Sequence, residues 1–290
     1  MLDTVPLILE PDPYVGDTLA GLATAGAVRA RLPKARIVVR TRYPDLFDGV
    51  AEPAARRLQV SCGLYVRQSQ NWRARAIRRR ARVRGETDGV WFMNVGIDLV
   101  NRALGTNLDM GTRATLTATD AGPAIERPYW VTVSGGRSKE HSKFPPLGLL
   151  ERVVGATCSN VRWVQTGLDH HPDVAGADRL ARLSLAEWIG VVARAEGVLC
   201  GVGGTMHLAA AVGTRSVVLV GGAESPEWAC YPEHDVFHTC GAMDCCPRGA
   251  CWRGTCDRDK ACYGLIDADQ VIAAVSGERF GWVACGGQHQ

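Results

Sequence analysis

One stretch of this chain restricts its fold more than any other: an apolar strand pattern that breaks at a glycine pair and resumes at once as a helix. Gly197–Val202 reads as a buried strand and Gly203-Gly204 as the break. Thr205-Met206-His207-Leu208-Ala209-Ala210-Ala211 then supplies helix formers up to Gly213. Such a turn leaves the first N–H groups of the helix without intrahelical acceptors, at the carboxyl end of the strand. With the helix dipole they make a seat for a phosphate or another anion. Gly203 and Gly204 allow close approach to the backbone, and Thr205 adds a hydroxyl. An ordinary buried strand–helix turn of an α/β protein has the same pattern, and the glycines alone do not separate the two. A dinucleotide fingerprint is excluded: Gly-x-Gly-x-x-Gly from Gly201 needs glycine where Met206 stands, and it would come late rather than after the first strand.

The rest of the chain alternates strand and helix patterns in two halves. In the first, Val5–Glu10 predicts a strand and Asp17–Leu32 a helix with apolar positions at Leu19, Leu22, Ala23, Val28 and Leu32. Ile37–Arg40 follows as a strand, Tyr43–Gly49 as a loop and Trp91–Leu104 as a helix ended by Gly105. Asp120–Pro128 is the best linker, which gives domains at 1–125 and 126–290. In the second half, Tyr129–Ser134, Val161–Gln165, Val198–Val202 and Ser216–Val220 read as strands. A helix follows Pro145-Pro146, another spans Leu185–Ala195, and Asp267–Val275 is helix-like. Trp282–Gln290 reads as a mobile tail. Two Rossmann-like α/β halves imply a parallel sheet in each, with ligands at the carboxyl ends of the strands.

At 290 residues the chain is long enough for two such domains, and no apolar run is long enough to span a bilayer. Met1–Pro6 lacks the basic start of a signal peptide, so a cytoplasmic protein is expected. The net charge of +3 is unevenly spread: ten arginines and no acid fall between Ala54 and Gly85. Such a run is commonly a solvated face. Its density without counter-charge also suits an acidic acceptor or partner, with Arg73, Arg75, Arg78, Arg79 and Arg80 at its centre. Six of the eleven cysteines, Cys240, Cys245, Cys246, Cys251, Cys256 and Cys262, lie within 23 residues. In a cytoplasmic chain that density favours structural zinc or iron on four thiolates over disulfides, with free thiols as the alternative. Cys200, in an apolar strand, reads as a small core residue.

Gly204 with His207–Ala211, the strand Ser216–Val220, Gly221-Gly222 and Ser225-Pro226-Glu227-Trp228 together resemble family 9 glycosyltransferases, the ADP-heptose:lipopolysaccharide heptosyltransferase group. The resemblance implies the GT-B fold, two Rossmann-like domains facing across a cleft, and inverting sugar transfer from a nucleotide-diphosphate donor without a catalytic metal. Tyr14–Leu19 resembles the family's turn after the first strand, which implies Asp17 as the base for the acceptor hydroxyl; an Asp ahead of a helix also serves as a cap. Ser134-Gly135-Gly136 through Lys143-Phe144-Pro145 resembles the family's first phosphate loop. Lys143 would then stabilise the departing diphosphate, with Arg137 and Lys139 as lesser candidates. His207 and the Gly203–Thr205 backbone would share that charge, with Gln165 a weaker donor contact. His170-His171 reads as a loop near the donor base. The cysteine segment is similar to that of autotransporter heptosyltransferases, a branch with cysteine-ligated iron.

One departure stands out: Val202 occupies the position of the family's acidic residue at the loop entrance. Two alternatives therefore stay open. One is a glycosyltransferase of hydroxymethylated DNA bases that uses the arginine-rich surface. The other is a non-catalytic GT-B protein that binds nucleotide and metal. The oligomeric state is open.

Overall fold

The computed structural model describes residues 6–11, 14–54, 64–67, 91–136, 142–180, 182–245, 251 and 255–286. They form two compact units, Met1–Leu116 and Thr117–Gln290. No helix among the described residues is long and apolar enough to cross a membrane.

The first unit carries a four-stranded parallel sheet in the order β3-β2-β1-β4, with β1 at Leu7–Glu10, β2 at Ile37–Val39, β3 at Glu52–Pro53 and β4 at Leu64–Arg67. Helix α1, Val15–Arg31, is buried over most of its length. Its small residues make that burial feasible: Gly21 lies so close that a Cβ there would stand 3.3 Å from the Pro11 ring. At its far end Arg29 donates to the carbonyls of Pro33, Ala35 and Val50, which seals the last turn. Helix α2, Trp91–Leu104, packs on α1, and Gly105 follows with φ 63° in the left-handed region that glycine tolerates. Tyr43–Gly49 is more ordered than the breakers Pro44 and Gly49 suggest. Pro44–Phe47 forms a 3-10 turn that buries Phe47 completely.

The second unit holds a seven-stranded sheet in the order β11-β10-β9-β8-β5-β6-β7, all parallel. The strands are β5 Tyr129–Thr132, β6 Arg162–Gln165, β7 Asp178–Arg179, β8 Gly197–Gly201, β9 Ser216–Val220, β10 Asp235–His238 and β11 Trp282–Ala284. Strands β8 and β9 are buried on both faces, as expected where crossover helices cover a parallel sheet. Those helices are α3 Leu147–Thr157, α4 Leu185–Arg194, α5 Gly204–Val212, the short α6 Pro226–Ala229 and α7 Ala268–Val275. Trp130, Trp163, Leu199, Leu219, Phe237 and Val271 share one core, and Cys200 is fully buried as the sequence suggested.

The structure corrects the expectation of a mobile tail at Trp282–Ala284; residues 287–290 lie outside the described residues. Trp282–Ala284 pairs with Val236–His238 and forms the seventh strand. Asp235, fully buried, sets the approach by accepting the N–H groups of Phe280 and Gly281 at 2.8 and 3.0 Å. Burial opposes its ionisation, yet those two N–H groups and the Arg215 guanidinium outweigh burial and hold its carboxyl below the usual range.

Candidate functional site

The seven-stranded sheet reverses its winding direction between β5 and β8. From β5 the chain builds outward through β6 and β7. It then crosses to β8 and builds the other way through β9, β10 and β11. Loops leaving the two central strands diverge at such a point and open a crevice at the carboxyl edge, where ligands of open parallel sheets bind. The Ser134-Gly135-Gly136 turn follows β5 and the Val202–Thr205 turn follows β8, so the fold delivers both predicted anion loops to this edge.

Phe144 is wedged between those loops. A Cβ on Gly136 would overlap its ring, and one on Gly203 would stand 3.4 Å from it. Gly201 lies under the same segment, where a Cβ would be 2.6 Å from the Lys143 carbonyl oxygen. Gly136 and Gly201 are thus needed for packing, and the packing carries Lys143 to this edge of the sheet. Its Nζ lies 2.7 Å from Glu224 Oε2, on the turn after β9. Glu224 has no local sequence signature as a partner; only the pairing of β8 with β9 brings its turn alongside.

The first turn of α5 starts from Gly203, whose φ of 175° is ordinary extended backbone. Gly213 closes the helix at φ 79°. Thr205 and His207 are both buried. His207 Nδ1 lies 3.1 Å from the Tyr231 hydroxyl. Burial, followed by the nearby positive charge of Lys143 and by His234, lowers its pKa to about 3. His207 is therefore a neutral imidazole, beside Lys143 rather than competing with it as a second cation.

Ser134 and Gln165 bond within the fold. The Gln165 amide nitrogen donates to Ser134 Oγ at 3.0 Å and to the Pro172 carbonyl at 2.8 Å, and its oxygen accepts from Val174 N at 2.8 Å. Ser134 Oγ donates to the Pro172 carbonyl at 2.6 Å. These bonds fix the loop after β6. His170 and His171 each place Nε2 on the Gly136 carbonyl, at 3.0 and 2.8 Å. Leu168 N–H donates to His171 Nδ1, so Nε2 is the protonated nitrogen of that ring. Burial depresses the His171 pKa in spite of the Gly136 bond. The histidine pair thus grips the first glycine loop, a role that adjacency in sequence does not reveal.

In the first unit, Asp17 lies in the first turn of α1, on the loop side of β1, and is half-buried. It is not the cap that an Asp before a helix suggests: the helix begins at Val15 with Tyr14 as N-cap. Next to Asp17, Thr18 Oγ1 lies 3.4 Å from Thr41 Oγ1 on the loop after β2. The arginines Arg73, Arg75, Arg78, Arg79 and Arg80, with Arg137, Lys139 and Cys246, lie outside the described residues.

The described cysteines meet the turn after β9. Cys240 Sγ donates to the Glu224 carbonyl at 3.0 Å, Gly222 N–H donates to Cys262 Sγ at 3.3 Å, and Cys251 N–H donates to the Gly222 carbonyl at 2.7 Å. Lys260 N–H donates to Cys256 Sγ at 3.3 Å. Cys245 lies at the end of the described stretch, near Asp244 and its partner Arg258. Among the described residues no three Cys, His, Asp or Glu side chains gather as metal ligands. The donor type and the N–H···S bonds suit a soft metal; a closed four-thiolate shell is not present among these residues.

Residues 165–248 match the profile of glycosyltransferase family 9 (heptosyltransferase). The matched segment lies in the second unit. That segment runs from Gln165 through the histidine pair, the Gly203–Thr205 turn and His207 to the Glu224 turn, Cys240 and Cys245. Several solved structures share the fold. The iron-containing dodecameric glycosyltransferase TibC of enterotoxigenic Escherichia coli H10407 superposes with a TM-score of 0.67 at 17% identity, over 94% of this chain and 75% of that one. TibC has also been solved with ADP-D-β-D-heptose. ADP-heptose LPS heptosyltransferase II of E. coli gives 0.62 at 13% identity, over 94% and 98%. The E. coli heptosyltransferase WaaC with ADP gives 0.56 at 14% identity, over 82% and 92%. The fold is therefore the α/β GT-B fold of these enzymes. No curated protein matches the sequence.

Proposed function

We propose that this protein is an inverting glycosyltransferase that moves a heptose or related sugar from a nucleotide-diphosphate donor to a hydroxyl acceptor. The observation that carries the proposal is the gathering of Lys143, the α5 amino terminus and the two glycine turns at the switch point of the second unit; of these, the Gly203–Thr205 turn with the α5 amino terminus lies within the matched segment 165–248. The leaving diphosphate develops negative charge as the glycosidic bond breaks. A lysine and a set of oriented N–H groups stabilise that charge without reorganising. Neutral His207 contributes hydrogen bonding rather than charge. Asp17 takes the proton of the acceptor hydroxyl, which attacks the anomeric carbon from the face opposite the diphosphate.

ADP-heptose is the donor that the resemblance favours, and its complexes with related folds support ADP recognition. Val202 is buried and apolar where the family has an acid, so other groups must hold the donor's hydroxyls. The acceptor is proposed to be acidic: a phosphorylated glycolipid or a protein. Four of the six clustered cysteines are proposed to hold zinc or iron in a structural role. Their chemistry suits it, and iron is named for TibC. The cytoplasm is the proposed location, and assembly into oligomers is proposed by analogy with the TibC dodecamer.

The test is thermal unfolding with a panel of nucleotide diphosphates and nucleotide-sugars. Binding at 100 times the dissociation constant stabilises by about 2.7 kcal/mol. Stabilisation by one nucleotide that disappears in Lys143→Ala supports the donor site. A panel without effect on the folded protein refutes it.

A further inference from the structure

Lys143 is engaged before any donor arrives. Its ammonium meets Glu224 Oε2 at 2.7 Å, and the Glu224 side chain is only 7% exposed whereas Lys143 reaches solvent. The carboxylate side of the pair is thus the fixed side. Its turn is anchored peptide by peptide: Cys240 Sγ donates to the Gly221 carbonyl at 3.5 Å and to the Glu224 carbonyl at 3.0 Å, Cys262 Sγ accepts from Gly222 N–H, and Cys251 N–H donates to the Gly222 carbonyl. Tyr263 packs so tightly on Gly221 that no Cβ would fit between them. A turn held by this many backbone contacts fixes the Glu224 main chain, and burial of the side chain leaves its carboxylate little room to follow the lysine. Lys143, on a flexible four-carbon stem, can turn away.

We infer that Glu224 is a built-in competitor for the donor's diphosphate: its carboxylate takes the Lys143 ammonium in the empty protein, and the diphosphate must draw Lys143 off it. The inference rests on the donor reading of Lys143. Donor affinity is then a difference between two anions, and Glu224 lowers it by the strength of its own ion pair. The same competition favours release of the nucleoside diphosphate product, because Glu224 is in place to recapture the lysine.

The experiment measures ADP and inorganic pyrophosphate binding by calorimetry to the wild-type protein, Glu224→Gln, Lys143→Ala and the double variant. Unfolding curves identify the folded proteins. Glu224→Gln keeps the side-chain shape and removes the charge. It is expected to tighten ADP binding roughly three- to tenfold, the scale of a partly exposed ion pair. The gain should vanish in the Lys143→Ala background. If folded Glu224→Gln binds ADP as wild type or more weakly, while Lys143→Ala weakens binding, the competitor role is wrong and the donor site stands. If Lys143→Ala binds ADP like wild type, the donor reading itself falls and this inference with it. Should Glu224→Gln not fold, Glu224→Asp withdraws the carboxylate by one methylene. It is expected to move ADP affinity in the same direction, and a shift the other way overturns the competitor role.

Discussion

Gly201 and Gly203 are two residues apart in one turn, yet the structure assigns them different tasks, and substitution by alanine separates the two. At Gly201 the new Cβ would stand 2.6 Å from the Lys143 carbonyl oxygen, 3.0 Å from Pro145 Cδ and 3.3 Å from Phe144 Cα. Ordinary carbon–oxygen approach is about 3.3 Å, so the Lys143 backbone must retreat by roughly 0.7 Å. The obstructing atoms are backbone and a proline ring, which do not swing aside as a side-chain tip does. Overpacking of this kind costs ~1–3 kcal/mol. A displacement approaching 1 Å at a group that meets a diphosphate should also weaken ADP binding by about tenfold. At Gly203 the nearest atoms are Phe144 Cε1 and Cζ at 3.4 Å, and φ is an ordinary extended 175°. Gly203→Ala is expected to leave stability within ~1 kcal/mol of wild type, because the stiffer unfolded chain offsets any crowding. A methyl in this turn is expected to hinder close approach of a phosphate to the backbone N–H groups, and loss of one such charge-assisted hydrogen bond costs ~1.5–3 kcal/mol of ADP affinity. Urea unfolding and calorimetric titration with ADP, run on both variants, give the four numbers. If Gly201→Ala is as stable as Gly203→Ala and binds ADP as wild type does, then packing of the Lys143–Pro145 segment on β8 does not place the lysine.

If Asp17 is the proposed base, Asp17→Asn should reduce sugar transfer by ~10²–10⁴-fold and leave ADP affinity unchanged, because a base acts on the acceptor hydroxyl; unchanged turnover would remove Asp17 from the mechanism. The low pKa of His207 predicts a pH effect with a definite sign. The unfolded imidazole takes up a proton near pH 6.5, whereas the buried one stays neutral to about pH 3. This contribution is complete above about pH 6.5, and each pH unit below it removes up to ~1.4 kcal/mol until the folded imidazole protonates. Urea unfolding between pH 7 and pH 5 should fall less steeply for His207→Gln; equal slopes would show that the histidine is solvated. Purified protein is expected to contain about one zinc or iron per chain by elemental analysis, and to lose stability on chelation. A metal-free, equally stable preparation would return the cysteines to free thiols.

What was legible in the sequence is what local pattern encodes. The continuous apolar runs of β8 and β9 follow from burial on both sheet faces, and the Gly203 turn from the abrupt change of period beside it. Trp91–Leu104 was legible as a helix because its apolar spacing ends at a glycine that could turn left-handed. Strands β10 and β11 were not, although β5 and β2, equally short, were. The approach of β11 to β10 is set by Asp235, whose backbone N–H partners lie more than forty residues further along the chain. Asp17 as a cap was a local inference defeated by the helix starting two residues earlier.

The same division explains why the candidate site was only half readable. A seat built from consecutive residues, such as Gly203-Gly204-Thr205, announces itself. The groups that contact its neighbours come from other loops: Glu224 from the turn after β9, and His170 with His171 from the loop after β6. What brings those loops to the seat is the strand order, in which β5 and β8 lie side by side although two strands separate them in sequence. Each loop then leaves its strand with only one direction of approach to the crevice. Lys143 therefore meets an anion from the β9 side, whereas the first glycine turn meets imidazole donors from the β6 side. Lys143, on a flexible stem, stands between these neighbours, and the proposed exchange between the two anions requires only that its side chain turn.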